Sequence, residues 1–194
     1  MLKTLGYPIA GFDKVSVWVG NGAASLVETA LKDAAGEAGL AKFEEGFTLF
    51  NRFYVEVLKK GSELYPNVRE TLNTLKKEGY QLALITNKPT EFLPDILNDL
   101  GFTDLFDLVL GADDVAMRKP HPAPIFQTLG FLGLYQRELI FIGDSRNDIE
   151  SAKSAGVITV GLTYGYNFGR LIAEENPTYV IDDFAEILTI VKRD

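Results

Sequence analysis

Residues 139–148 read Leu139-Ile140-Phe141-Ile142-Gly143-Asp144-Ser145-Arg146-Asn147-Asp148. Four consecutive apolar residues suit a strand covered on both faces, and a glycine directly after them lets the backbone turn sharply. The residues that follow, 147–155, read as a helix. The same unit recurs on both sides. A strand at 81–86 ends in Thr86-Asn87-Lys88-Pro89 and leads into a helix at 91–100. A strand at 106–110 ends in Gly111-Ala112-Asp113-Asp114, runs on to Arg118-Lys119-Pro120 and precedes a helix from Pro124 that Gly130 and Gly133 weaken. A helix at 68–78, strands at 158–162 and 179–181 and a last helix from Phe184 complete the pattern. Apolar strands alternating with helices predict a parallel sheet covered on both faces, a doubly wound, Rossmann-like α/β core.

Outward from that core, residues from about Trp18 to Leu64 carry only helical periodicity. Ala23, Leu26, Val27, Ala30 and Leu31 recur at three and four, as do Phe47, Phe50, Phe53, Val57 and Leu58. The texture changes at Tyr65-Pro66-Asn67, which divides the chain into a small all-helical unit, 1–64, and the α/β core, 65–194. The 194 residues hold 19 Lys and Arg against 27 Asp and Glu, a net charge of −8, with no cysteine and one histidine. That excludes disulfides, thiolate nucleophiles and cysteine zinc sites, and argues against nucleic acid or an anionic membrane as partner. His121 lies in Lys119-Pro120-His121-Pro122-Ala123-Pro124, a rigid turn, and takes no catalytic role. No apolar run approaches the roughly 20 residues of a membrane span, and the first residues lack a signal-peptide core, so the expected setting is cytoplasmic.

In an open α/β sheet, ligands bind beyond the carboxyl ends of the strands, and three of these ends are polar. Asp144 and Asp148 offer hard oxygen ligands of the kind Mg²⁺ takes while it bridges phosphate. Equally, Ser145 or Asn147 could cap the next helix, with the carboxylates favouring its positive end. Thr86 and the backbone N–H groups beyond it suit a phosphate, or form a plain strand-to-helix loop with Thr90 as N-cap. Lys119 could neutralise phosphate charge. Taken together, a Thr, a Lys and a Gly-Asp-x-x-x-Asp on one edge of one sheet compose a site for phosphate plus Mg²⁺.

Ile85-Thr86-Asn87-Lys88, Arg118-Lys119-Pro120 and Gly143-Asp144-Ser145-Arg146-Asn147-Asp148, in this order, resemble the second, third and fourth motifs of the haloacid dehalogenase superfamily of phosphohydrolases. Residues 18–23, 119–124 and 161–167 add to the likeness, which covers essentially the whole chain. The resemblance implies that 1–64 is a cap closing over a core, with the tail of the first core helix at Met1 to Pro8. Thr86 would bind the transferring phosphoryl group, Lys119 would neutralise charge, Asp144 would ligate Mg²⁺, and Asp148 would support Lys119 or the metal shell. Asn87 and Asn21 would contact substrate. The implied activity is Mg²⁺-dependent hydrolysis of a small phosphorylated carboxylate such as 2-phosphoglycolate through an aspartyl phosphate. A nucleotide or sugar phosphate is the alternative substrate, and a phosphate-binding pseudoenzyme the alternative class. A phospho-receiver domain also joins Asp, Thr and Lys at strand ends, but the helical segment has no place in one.

The family's first motif, Asp-x-Asp-Gly-Thr after an apolar strand, is not in this sequence. Asp104 and Asp107 are three apart, Asp144 and Asp148 four, Asp113 and Asp114 adjacent, Asp182 and Asp183 adjacent, and no pair is spaced by two. The family's first strand is absent with it. The strands ending at Thr86 and Ile142 are therefore expected to keep unpaired edges, leaving the chain unstable, rearranged or completed by a partner strand.

Overall fold

The computed structural model describes residues 1–58 and 63–192; the helical pattern read across 59–62 lies outside the described residues, as do 193 and 194. Five parallel strands form two sheets. β1 (Ala83–Ile85) pairs with β2 (Leu108–Leu110), and β4 (Ile158–Leu162) lies between β3 (Ile140–Gly143) and β5 (Tyr179–Ile181). Phe141 packs with Ile125 and Leu129 of α6 (Ala123–Leu132) and Ala152 and Ala155 of α7 (Arg146–Ala155). Its neighbours Ile140 and Ile142 face the other way, toward Leu75 of α4 (Val68–Lys77) and Ile187 and Ile190 of α8 (Ile187–Ile190). Alternation along β3 thus serves two helical layers, and the core is the doubly wound α/β structure that the strand-and-helix pattern predicts.

The two sheets share side chains but not backbone. Ile85 of β1 joins the Phe141 cluster, and Leu82 joins the cluster holding Ile140 and Ile142. Thr86 N–H donates to the Leu110 carbonyl and Asp107 N–H to the Leu82 carbonyl, so the even positions of this strand point at β2. The odd positions, Ile85 among them, present their backbone groups on the edge toward β3. As expected from the absent strand, β1 and β3 each keep one edge without a strand partner among the described residues.

Ahead of the core lie α1 (Phe12–Ser16), α2 (Ala23–Leu40) and α3 (Phe43–Leu58). Sequence periodicity does not signal α1, a five-residue helix with no buried residue. Positions 35 and 36 break α2 locally, with Gly36 at φ 57°. Leu5, Val27 and Leu31 form the core of this helical part with Phe43, Phe47 and Phe50 around them. Met1 to Gly6 is a series of turns packed on that cluster through Leu2 and Leu5. No helix among the described residues is long and apolar enough to cross a membrane.

Two outcomes follow. Each unpaired, shielded backbone group costs about 1–3 kcal/mol, so the 194-residue chain should melt below the ~45–65 °C usual for mesophilic domains. A cooperative, monomeric transition within that range would refute this. Asp107, at the entry to β2, accepts from the Lys76 ammonium at 2.7 Å and from Leu82 N–H at 2.8 Å. The lysine first, then the amide, hold its carboxyl below the usual range. Its stabilising contribution is therefore complete above the ordinary carboxylate value and lost as pH falls through the lowered one. Asp107→Asn should lower Tm by about 2–3 °C at neutral pH, with the gap to the parent closing in acid. A gap that persists below pH 3 would exclude the ion pair as its source.

Candidate functional site

From β1 the chain winds outward to β2, and from β3 it winds the opposite way to β4 and β5, so the topology reverses between β1 and β3. Ligands bind beyond the carboxyl ends of strands at such a reversal. A cavity of about 340 Å³ lies there, walled on the core side by Thr86, Lys88, Lys119, Asp144 and Asp148 and on the helical side by residues of α2 and α3.

Ser145 caps α7 in an extended conformation. Its N–H and hydroxyl both donate to Asp148 Oδ2, at 3.1 and 2.6 Å, while Asp148 Oδ1 accepts from Lys119 Nζ at 2.7 Å. Asp148 is thus the helix-end carboxylate that the capping alternative describes and also the support for Lys119 that the resemblance implies. Both its oxygens are engaged. Lys119 donates a second hydrogen to the Ile85 carbonyl at 2.8 Å and stacks over Phe141 at 5.6 Å. An ammonium has three N–H groups, so one remains for a ligand. Thr86 Oγ1 accepts from Lys88 N–H at 3.1 Å, which leaves its hydroxyl hydrogen free to donate.

Asp144 Oδ2 accepts from Tyr166 N–H at 2.9 Å, and Oδ1 has no protein donor among the described residues. Burial, with the Asp148 charge behind it, pushes the Asp144 carboxyl up, against the pull of Tyr166 N–H and Lys119. Two glycines make room for these carboxylates. A Cβ at Gly143 would strike Asp148, and one at Gly165, whose φ is 114°, would strike Asp144. Asn167 accepts from Arg146 N–H at 2.7 Å, which fastens the loop after β4 to the start of α7. Residues 161–167 stood out in the sequence without a role. Polar residues beyond β4, the next strand end in the series, were the signal for one.

The structure brings Thr86, Lys119, Asp144 and Asp148 together with Asn87, and leaves Asn21 outside the cavity wall. Both N–H groups of Asn87 go to backbone carbonyls, Gly20 at 3.3 Å and Lys119 at 2.9 Å. Asn21 Oδ1 accepts from Asn147 at 2.9 Å, and Asn147 also donates to the Gly20 carbonyl at 3.0 Å. These amides tether the loop before α2 to the core. Thr90 is not an N-cap. It is the first residue of a short 3₁₀ turn, its N–H bound to Asp113 and its hydroxyl to Asp114. His121 closes its turn by accepting from Ala123 N–H at 3.1 Å.

Among the described residues no group of three or more His, Cys, Asp or Glu could hold a metal. A divalent cation here would have one free carboxylate oxygen, on Asp144, and would take its other ligands from phosphate and water, an arrangement that suits Mg²⁺. A lysine N–H, a threonine hydroxyl and that carboxylate converge at the switch point of an α/β core, donors and acceptors of the kind that suit a phosphoryl group beside a cation.

Comparison with known proteins agrees with that class. Residues 19–162 match the haloacid dehalogenase-like hydrolases, and the chain belongs to this family. The phosphoglycolate phosphatase of Yersinia pestis is 46% identical over 186 residues, 96% of this chain and 80% of that protein. That of Photorhabdus laumondii is 47% identical over 190 residues, 98% of this chain and 81% of its own. The crystal structure of a predicted phosphoglycolate phosphatase from Haemophilus somnus superposes with a TM-score of 0.93 at 44% identity, covering 98% of this chain and 87% of that one.

With side chains only 10% and 9% exposed, Lys119 and Asp148 form a buried pair. Removing one partner strands the other, so Asp148→Ala should cost about 3–5 kcal/mol in urea denaturation. A loss under about 1 kcal/mol would mean that water reaches the pair freely.

Proposed function

We propose that residues 65–194 are the phosphoryl-binding core, and 1–64 the cap, of a phosphoric monoester hydrolase acting on a small phosphorylated carboxylate of the 2-phosphoglycolate type. The observation that carries this is Lys119, held by Ile85 and Asp148 with one N–H to spare, beside the Thr86 hydroxyl. The relatives named phosphoglycolate phosphatase support the choice of ester. A 340 Å³ cavity, at the small end for ligand sites, suits it also. The setting in this reading is cytoplasmic, where such membrane-impermeant esters are held.

Thr86 donates to one phosphoryl oxygen and Lys119 to another, so both stabilise the charge carried by the transferring group. Asp148 positions Lys119. Asp144 would hold Mg²⁺, which supplies charge neutralisation at the phosphate when bound. The attacking carboxylate of the family mechanism is not supplied by these groups. Asp148 is spoken for by Lys119 and Ser145, and Asp144 by the cation. A strand seated between β1 and β3 would end between Thr86 and Asp144, where an attacking group belongs. The second reading, a phosphate binder without turnover, is favoured by the lack of any Asp pair spaced by two.

With Mg²⁺, the 194-residue chain should bind 2-phosphoglycolate in calorimetry and release no phosphate from it. Thr86→Ala and Lys119→Met should each weaken binding about tenfold or more. Appreciable turnover would refute the absence of a nucleophile, and unchanged affinity in both variants would refute the site. An in-frame N-terminal extension bearing Asp-x-Asp-Gly-Thr that restores hydrolysis selects the enzyme over the binder. In that form Asp144→Ala should lower kcat by orders of magnitude.

A further inference from the structure

Lys88 lines the cavity and shares a loop with Thr86, yet its side chain has no role in the phosphoryl site proposed above. Its backbone is fixed at both ends, the N–H on Thr86 Oγ1 at 3.1 Å and the carbonyl accepting from Ala112 N–H at 2.8 Å. Its side chain crosses to α3, with Nζ 2.8 Å from the Tyr54 hydroxyl and 5.5 Å from the ring centroid. Tyr54 is itself set between Phe50, stacked at 5.6 Å, and Phe92, edge-on at 5.4 Å. Lys119, the other lysine of the cavity wall, is paired with Asp148. Lys88 has no carboxylate partner among the described residues, and Val19, Leu26, Phe50 and Phe92 make the wall around it apolar. A protein of net charge −8 thus keeps an uncompensated ammonium at the edge of an apolar cavity, one residue past the loop's own phosphoryl-binding position and its neighbour.

We propose that Lys88 reads a second anionic group on the substrate, a carboxylate close to the phosphate ester, and that Tyr54 is the positioning residue that holds the ammonium toward it. The inference rests on the reading of Thr86 and Lys119 as the phosphoryl site. With one N–H on Tyr54, two remain to bind a carboxylate. Thr86 and Lys88 line the same cavity of about 340 Å³, so a molecule whose two anionic groups reach both is a small one. Lys88 is exposed, so a neutral ester leaves its ammonium to water and the Tyr54 hydroxyl, whereas a carboxylate pairs with it, and selectivity arises from that difference. The rival role is mechanical: Lys88 could do no more than fasten α3 to the core.

The ratio of affinities for 2-phosphoglycolate and ethyl phosphate, which replaces the carboxylate with methyl, separates these roles. Calorimetry on the 194-residue chain with Mg²⁺ at low temperature gives both constants. Lys88→Met should lower the ratio about tenfold, Tyr54→Phe should lower it about threefold through loss of the tether, and Lys88→Arg should restore most of it. A plain fastener would weaken both ligands together and leave the ratio unchanged, which overturns the proposal. An unchanged ratio in Lys88→Met with both affinities intact overturns it too. If the parent chain binds neither ligand, or Lys119→Met affects neither, the phosphoryl site itself fails and this inference falls with it.

Discussion

One ammonium joins the halves of this protein. Lys119 comes from the loop after β2, yet its Nζ bonds the Ile85 carbonyl on the free edge of β1 and Asp148 in the first turn after β3. A buried charge is tolerable only when paired and hydrogen-bonded, and here both conditions are met by groups from different sheets. Much of the local sequence follows. Gly143 must lack a side chain so that Asp148 can fold back beneath it, and Ser145 must donate twice so that Asp148 Oδ2 is not left bare. At Ile85 the lysine takes the place that a strand N–H would fill, so the ammonium that faces the cavity also relieves an unpaired backbone carbonyl.

The same arrangement fixes how ligand and stability are linked. A phosphoryl group at the third N–H of Lys119 adds an anion to an ammonium already balanced by Asp148, while Asp144 stands nearby with its carboxyl pushed up by burial. Three negative groups around one lysine do not balance. In the reading proposed above, a divalent cation at Asp144 would remove the imbalance, so that cation and phosphate would each favour the other's binding with reciprocal coupling.

Period and punctuation made the core legible. Every core strand and helix appears where apolar runs and glycines place it, because a strand buried on both faces leaves little choice of residue. Thr86 and Asp144 stand out because a polar side chain directly after an apolar run has a ligand or a cap to serve, whereas Lys119 and Asp148 lie further along the chain and stand out only in combination with them. What escaped depends on contacts distant in sequence. Asn87 and Asn21 read as ligand-facing amides; Asn87 lines the cavity and Asn21 does not, and the hydrogen bonds that hold them, to Gly20, Lys119 and Asn147, reach residues distant in sequence. Nothing local to Tyr54 sets it apart from the core aromatics of α3, since only the fold brings Lys88 to it. Helix α1 buries no residue and so carries no pattern to read.

The helical part meets the core through a row of polar contacts beside the Tyr54–Phe92 ring pair. Leu5, Val27 and Leu31 build a core that belongs to the helices themselves, separate from the two clusters around the sheets. Across the boundary run the amides of Asn87 and Asn147 to the Gly20 carbonyl, the Asn147–Asn21 bond and the Lys88–Tyr54 contact. Hydrogen bonds that water can replace cost little to exchange, whereas apolar area cannot be exposed cheaply. A boundary made this way can part without unfolding either side. Each of its donors sits beside a residue of the candidate site: Asn87 and Lys88 follow Thr86, and Asn147, in the first turn of α7, lies between Asp144 and Asp148. In the reading proposed above, a ligand that ordered those segments would order the donors as well, so that filling the site and closing the helices over it would be one event rather than two.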